Sequence, residues 1–240
     1  MKIDPLYILP NFFTGASIYL GILSMAYAYS GRFELACWLV LLSLIFDGLD
    51  GRIARLTGTT SKFGVEFDSL ADVVAFGVAP AMILFFYVGH HYGKFGAVVS
   101  GLYVVFGAIR LARFNVTTTQ NEPNVFIGLP IPSAAVFIVS WLLFEMGIKQ
   151  DYPHYDSILL VLLLASSLLV GLLMVSNIRY PSFKKMSFER VSFGKIIVLL
   201  MLILAVLFMY PTYTIVVLIS AYVLFGPMRA CYYLIFRKRV

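Results

Sequence analysis

Apolar residues run through this chain in long blocks, and polar residues gather between the blocks instead of alternating within them. A bilayer core asks for about 20 mostly apolar residues per helix. Eight windows meet that length, at approximately 8–29, 33–54, 65–89, 94–114, 130–147, 157–176, 194–210 and 212–236. Each is expected to be an α-helix, because a segment in hydrocarbon must satisfy its own backbone hydrogen bonds. Pro211 marks a tight turn between the last two windows, and Pro80 a kink in the third. Pro130 and Pro132 open the fifth, where proline is tolerated. The longest polar stretch, NVTTTQNEPNVFIG at 115–128, reads as a loop. With no internal repeat, low-complexity tract or soluble domain, residues 1–240 are expected to form a single all-α, polytopic transmembrane domain.

The first window ends on Ala26-Tyr27-Ala28, a small-x-small pattern like a signal peptidase site. Its length, and the polar Asn11 and Thr14 inside it, favour a retained first span.

Composition sharpens the class. Hydrophobic residues make up 61% of the chain and charged ones 12%, where a soluble domain carries about 25% charged residues. Mean hydropathy is +0.92. The net charge of +6 is explained by its placement. With the N-terminus inside, all but Arg32, Lys94 and Lys149 of the 18 Lys and Arg fall on the cytoplasmic side, from Lys2 to Arg237, Lys238 and Arg239. That asymmetry is the positive-inside signature. The charge is therefore a topology signal and an attraction to anionic lipid, and nucleic acid is not an expected partner. Cys37 and Cys231 sit in different apolar runs at opposite membrane faces, so no disulfide is expected between them.

One stretch changes the picture. FDGLDGRIARLTGTTSKFGVEFDSLAD, residues 46–72, holds Asp47, Asp50, Asp68 and Asp72 at the cytoplasmic edge of two spans. At about 100° per residue, Asp47, Asp50, Gly51 and Ala54 share one helical stripe with Arg55 beside it. Gly64, Asp68 and Asp72 repeat at i, i+4 and i+8 on the next helix. The eight residues between Arg55 and Gly64 suffice for a short turn, so the two stripes face each other. Four carboxylates at such range repel one another unless divalent cations sit among them. Carboxylate-only ligation favours hard ions such as Mg²⁺ or Mn²⁺, and a pair of them suits phosphoryl chemistry. Gly51, Ala54 and Gly64 keep the stripes free of bulk, although small residues in membrane helices also serve close packing.

The spacing Asp47-x2-Asp50-Gly51-x2-Ala54-Arg55-x8-Gly64-x3-Asp68-x3-Asp72 matches the signature D-x2-D-G-x2-A-R-x8-G-x3-D-x3-D. The chain thus resembles the CDP-alcohol phosphotransferase family. The flanks LPNFFT, EFDSLADVVAFGVAP, GAIRLARFNV and GLPIPSAA are similar to its phosphatidylserine synthase branch, over about residues 8–140. The resemblance implies a six-helix core plus two C-terminal spans, a homodimer, and transfer from CDP-diacylglycerol to L-serine, releasing CMP. It implies that Asp47 bridges two metal ions whose coordination Asp50 and Asp68 complete. Asp72 would both touch a metal and accept the proton of the attacking hydroxyl. Gly51 and Arg55 would contact the CDP-lipid, with Ala54 and Gly64 on the two facing stripes and Asn11 and Ser61 as further contacts.

Arg110 and Arg113, one turn apart, are candidates to hold the carboxylate of serine, with Asn115 assisting; the alternative for the arginines is a positive-inside anchor. His90, His91 and His154 all fall in external loops, so a phosphohistidine mechanism is not expected. Two other readings stay open on the residues alone. The acceptor could be glycerol 3-phosphate or inositol phosphate, and the donor an archaeal-type CDP-lipid. A divalent-cation transporter is the distant alternative, disfavoured because transporter sites lie near the midplane, often between inverted repeats.

Overall fold

A computed structural model describes residues 8–117, 125–151, 158–181 and 193–236. Lys2, His154, Lys184, Lys185, Arg190, Arg237, Lys238 and Arg239 lie outside them. The chain opens with α1 (Ile8–Tyr29) and α2 (Phe33–Thr57). The third span is built in three pieces: α3 (Lys62–Asp72), a π-helical stretch (Val73–Val78) and α4 (Ala79–Tyr87). A 3₁₀ turn (Gly89–Tyr92) leads into α5 (Gly93–Thr117), followed by α6 (Ile131–Asp151), α7 (Ile158–Val175), α8 (Phe193–Met209) and α9 (Pro211–Phe236). Every expected helix is present. The protein is an all-α, multi-pass membrane protein, in which six helical stretches among the described residues are long and apolar enough to cross a bilayer. The other two differ for identifiable reasons: α2 carries Glu34, Asp47, Asp50, Arg52 and Arg55, and α8 has only 17 residues.

Both described ends of the stretch expected as a loop at 115–128 carry regular structure. The α5 helix continues to Thr117, and β1 (Val125–Ile127) pairs antiparallel with β2 (Arg179–Pro181), Phe126 opposite Tyr180. Backbone beyond the ends of the spanning helices is released from the helix-only constraint, and the β-branched and aromatic residues of VFI favour an extended ribbon.

The irregularity expected at Pro80 has a specific form. A proline cannot donate to the carbonyl four residues before it, here that of Phe76. The helix widens just upstream, the amide of Ala79 reaching back to the carbonyl of Val74. The fully buried Tyr103 of α5 donates its hydroxyl to the Phe76 carbonyl at 3.0 Å, supplying the missing partner. The same device recurs in α9. Pro227 leaves the Val223 carbonyl without a helical donor, and Tyr180 donates to it at 3.1 Å. Gly226 makes room, because a Cβ there would strike the Tyr180 ring.

Small residues draw the first spans together. A Cβ on Gly21 would come within 2.9 Å of the Ala75 backbone, so α1 rides directly on the π-helical stretch. Ser24 donates to the Ala36 carbonyl at 2.8 Å, tying α1 to α2. Such close approach is how membrane helices gain packing energy when lipid is as apolar as their own side chains. Cys37 is buried, Cys231 is exposed, and both are free thiols.

Candidate active site

A tight reversal between α2 and α3 brings the two acidic stripes together. Gly58 closes α2 in the left-handed conformation (φ 68°), its amide donating to the Ala54 carbonyl. Ser61 then caps α3, accepting from the Gly64 amide at 3.0 Å. Across the glycine, Thr57 and Thr59 share a hydroxyl hydrogen bond at 2.7 Å. The eight-residue interval is thus spent on the last turn of one helix, a glycine stop and a serine start.

The carboxylates converge as their helical spacing predicts. Asp47, Asp50 and Asp68 each offer an oxygen within 4.8 Å of the others. Asp72 lies one turn deeper on α3, buried, with its carboxyl group in hydrogen-bonding range of Asp47. Its Oδ1 is buried with no hydrogen-bond partner. Asp50 is fixed from two sides, by the Thr14 hydroxyl at 2.6 Å and by the Gly51 amide. The cations acting on the cluster are Arg55 on Asp50 and Arg110 on Asp72. Two arginines do not neutralise four carboxylates in a half-buried setting, and an orphaned buried oxygen is costly. Oxygens of this chemistry and separation fit a hard divalent cation, whose bonds to oxygen span roughly 2.0–2.6 Å.

Beside the acids opens a cleft lined by α1, α2, the reversal and α3. Asn11, Gly51, Ala54, Arg55, Ser61 and Gly64 all face it, together with Asp50 and Asp68. Arg55 folds back over Gly51, its Nη1 lying 3.6 Å from where a Cβ would be. Gly64 sits under Ser61 and Asn11, whose oxygens would lie 3.2 and 3.8 Å from an added Cβ. The N-terminus of α3 opens here as well, presenting backbone amides suited to an anion.

The three residues singled out for an acceptor carboxylate separate. Arg110 is only 6% exposed, acts on Asp72 and lies over the Phe114 ring at 5.5 Å. Arg113 is committed elsewhere: its guanidinium donates to the carbonyls of Val175, Met174, Ser176 and Ile127 at 2.9–3.4 Å. It caps the carbonyl end of α7 and binds β1 to it, which argues against a role in holding substrate. Asn115 joins α5 to α3, donating to Ser69 at 3.0 Å and Glu66 at 3.4 Å. Thr14 is the residue that sequence reasoning missed; a polar side chain interrupting an apolar run was its only signal.

Residues 7–169 match the sequence profile of the CDP-alcohol phosphatidyltransferase family. The chain belongs to that family. Members are divalent-metal dependent in general, in keeping with the acidic cluster. Within the CDP-alcohol phosphatidyltransferases, the CDP-diacylglycerol–serine O-phosphatidyltransferase of Helicobacter pylori is 49% identical over 229 residues, 95% of this chain and 93% of its own. The archaetidylserine synthase of Methanothermobacter thermautotrophicus is 42% identical over 144 residues, 59% of this chain and 60% of its own. The CDP-diacylglycerol–serine O-phosphatidyltransferase of Mycobacterium tuberculosis (strain H37Rv) is 36% identical over 152 residues, 61% of this chain and 53% of its own.

Proposed function

We propose that the protein transfers the phosphatidyl group of CDP-diacylglycerol to the hydroxyl of L-serine, giving phosphatidylserine and CMP. The observation that carries this reading is the cleft, which brings Asn11, Gly51, Ala54, Arg55, Ser61 and Gly64 to one wall beside the four carboxylates. The near full-length likeness to the Helicobacter pylori serine transferase favours serine as the acceptor.

In this reading Arg55 and the α3 amides hold the diphosphate, and the absence of side chains at Gly51 and Gly64 lets it approach the backbone. The serine oxygen attacks the phosphorus that carries diacylglycerol. The bond from that phosphorus to the bridging oxygen breaks, and CMP departs with the electron pair. Asp72 takes the hydroxyl proton, as a carboxylate within hydrogen-bond reach can. Two divalent cations, Mg²⁺ or Mn²⁺, held by Asp47, Asp50, Asp68 and Asp72, would supply the screening of charge on the diphosphate. Arg110 receives the carboxylate of serine beside Asp72. Arg52, Arg55, Lys62, Arg110, Arg113 and Arg179 share the acidic end, which supports a cytoplasmic active site. The family resemblance supports a homodimer, which chemical crosslinking in the membrane would test.

Purified protein given CDP-diacylglycerol and labelled serine with Mg²⁺ or Mn²⁺ is expected to release CMP in step with labelled lipid. Release that ignores serine, or that survives EDTA, would overturn the assignment. Parallel incubations with glycerol 3-phosphate and inositol phosphate decide the acceptor. An archaeal-type CDP-lipid in place of CDP-diacylglycerol decides the donor.

A further inference from the structure

Asp72 is the last residue of α3, and the π-helical stretch begins at the next position. There each hydrogen-bonded turn encloses one residue more than in the α form. The Ala79 amide accordingly bonds the Val74 carbonyl and passes over that of Ala75. An α-helical ladder through the same residues would turn the segment upstream by about one residue, roughly 100°. With α4 held in the core by Ile83 and Leu84, Asp68 and Asp72 would then swing off the line that faces α2. The width of this one turn therefore sets where the acids of α3 point.

Two neighbours hold the turn in its wide form. From α5, the fully buried Tyr103 donates to the Phe76 carbonyl at 3.0 Å. From α1, Gly21 lies so near that a Cβ there would come within 2.9 Å of the Ala75 Cα. Ala75 and Phe76 are themselves buried, one turn beyond Asp72. The carboxyl group of Asp72 has little of its own to fix it. One oxygen is buried without a hydrogen-bond partner, and the group it reaches is a second acid, Asp47. Its direction is thus inherited from the backbone. We propose that Tyr103 is a positioning residue for the transfer step, holding the Phe76 carbonyl so that the wide turn keeps the Asp72 carboxylate toward the acceptor hydroxyl. The inference rests on Asp72 taking the hydroxyl proton. It gives a bond made one turn beyond the acidic stripe a consequence for turnover.

The test uses the full chain in lipid vesicles and reads turnover per molecule of CDP-diacylglycerol bound, counted by equilibrium filtration. Loss of folded protein lowers the number of binding sites and not the turnover of each, so a packing role alone leaves this quantity unmoved. Tyr103→Phe keeps the ring and removes only the donor. It is expected to lower turnover per site about 10-fold, short of the roughly 10²-fold that a misplacement of about 1 Å can cost, with the KM for CDP-diacylglycerol unchanged. Gly21→Ala presses on Ala75 from the other helix and is expected to act in the same direction. It carries the same comparisons if Tyr103→Phe binds no CDP-diacylglycerol. Tyr180→Phe removes the matching bond to the Val223 carbonyl of α9 and should leave turnover per site at the wild-type level. In an Asp72→Asn background the effect of Tyr103→Phe should shrink to less than about twofold, because the carboxylate it positions is gone. Turnover per site that Tyr103→Phe leaves unchanged, that Tyr180→Phe lowers equally, or that falls by the same factor again in the Asp72→Asn background overturns the proposal. If Asp72→Asn itself keeps its turnover, the base reading falls and the proposal with it.

Discussion

Thr14→Val isolates one interaction at the centre of the site. Thr14 is 3% exposed and Asp50 5% exposed, and their oxygens are 2.6 Å apart. The hydroxyl has one proton and two acceptors in reach, the Asp50 carboxylate and the Pro10 carbonyl at 3.2 Å. The shorter, charge-assisted contact takes it. Valine has nearly the same shape, so the substitution deletes the donor without opening a cavity. A hydrogen bond to a charged group contributes about 1.5–3 kcal/mol, or roughly 10- to 100-fold at about 1.4 kcal/mol per decade. Asp50 would then be left with the Gly51 amide and the pull of Arg55, freer to swing away from Asp47 and Asp68. The loss should appear in metal binding more than in protein stability. The Mn²⁺ concentration for half-maximal CMP release is expected to rise about tenfold or more. Mn²⁺ binding followed by electron paramagnetic resonance should weaken in parallel, and Thr14→Ser should stay close to wild type. A Thr14→Val titration that overlays the wild-type curve would refute the reasoning. So would a Thr14→Ser variant as impaired as the valine.

Asp72→Asn is expected to cut turnover by about 10²-fold or more while CDP-diacylglycerol still binds in equilibrium filtration; turnover above a tenth of wild type would remove Asp72 from the base role. Arg113→Ala strips the cap from α7 and should lower the unfolding temperature by several degrees, and a rise in the KM for serine alone would return Arg113 to the substrate site. Tyr103→Phe should cost about 1–3 kcal/mol by stranding the Phe76 carbonyl. The same change in a Pro80→Ala background, where residue 80 regains an amide, should cost clearly less. Strictly additive losses in that double-mutant cycle would show that the two residues do not act on one carbonyl.

The parts of this molecule that could be read from its sequence are those governed by local periodicity. Each helix declared itself through its long apolar run, and six of them are apolar and long enough to span a bilayer, while Asp47, Asp50, Asp68 and Asp72 stood out because i, i+3 and i+4 spacing fixes a face. The reversal at Gly58 and Ser61 followed from the short interval between two helical stripes. What stayed hidden depends on partners distant along the chain. Thr14 was visible as a polar interruption, but its acceptor is 36 residues away on another helix. Arg113 looked like a ligand-binding cation because its acceptors are mostly backbone carbonyls distant along the chain, at Ile127 and at the end of α7, which no side-chain pattern announces. The ribbon of β1 and β2 joins two three-residue strands, too short for an alternation to register. Pro80 announced a kink, yet the tyrosine that repairs it comes from α5, and the break at Pro227 was not foreseen at all.

The two repaired prolines and the unrepaired aspartate make a useful contrast. Where a backbone carbonyl loses its helical donor, the fold brings a buried tyrosine to it, at Phe76 and again at Val223. Buried polar groups left without partners are costly enough that such compensation is the rule. Asp72 Oδ1 has received none, although it is buried one helical turn from Asp68. Nor does the packing near it lack suitable donors, since Arg110 acts on the same carboxylate and Thr14 already serves Asp50. A bare carboxylate oxygen beside Asp47 and Arg110 is suited to something the polypeptide does not supply. A cation among the carboxylates, and the hydroxyl of an acceptor, are the two species whose chemistry such an oxygen suits.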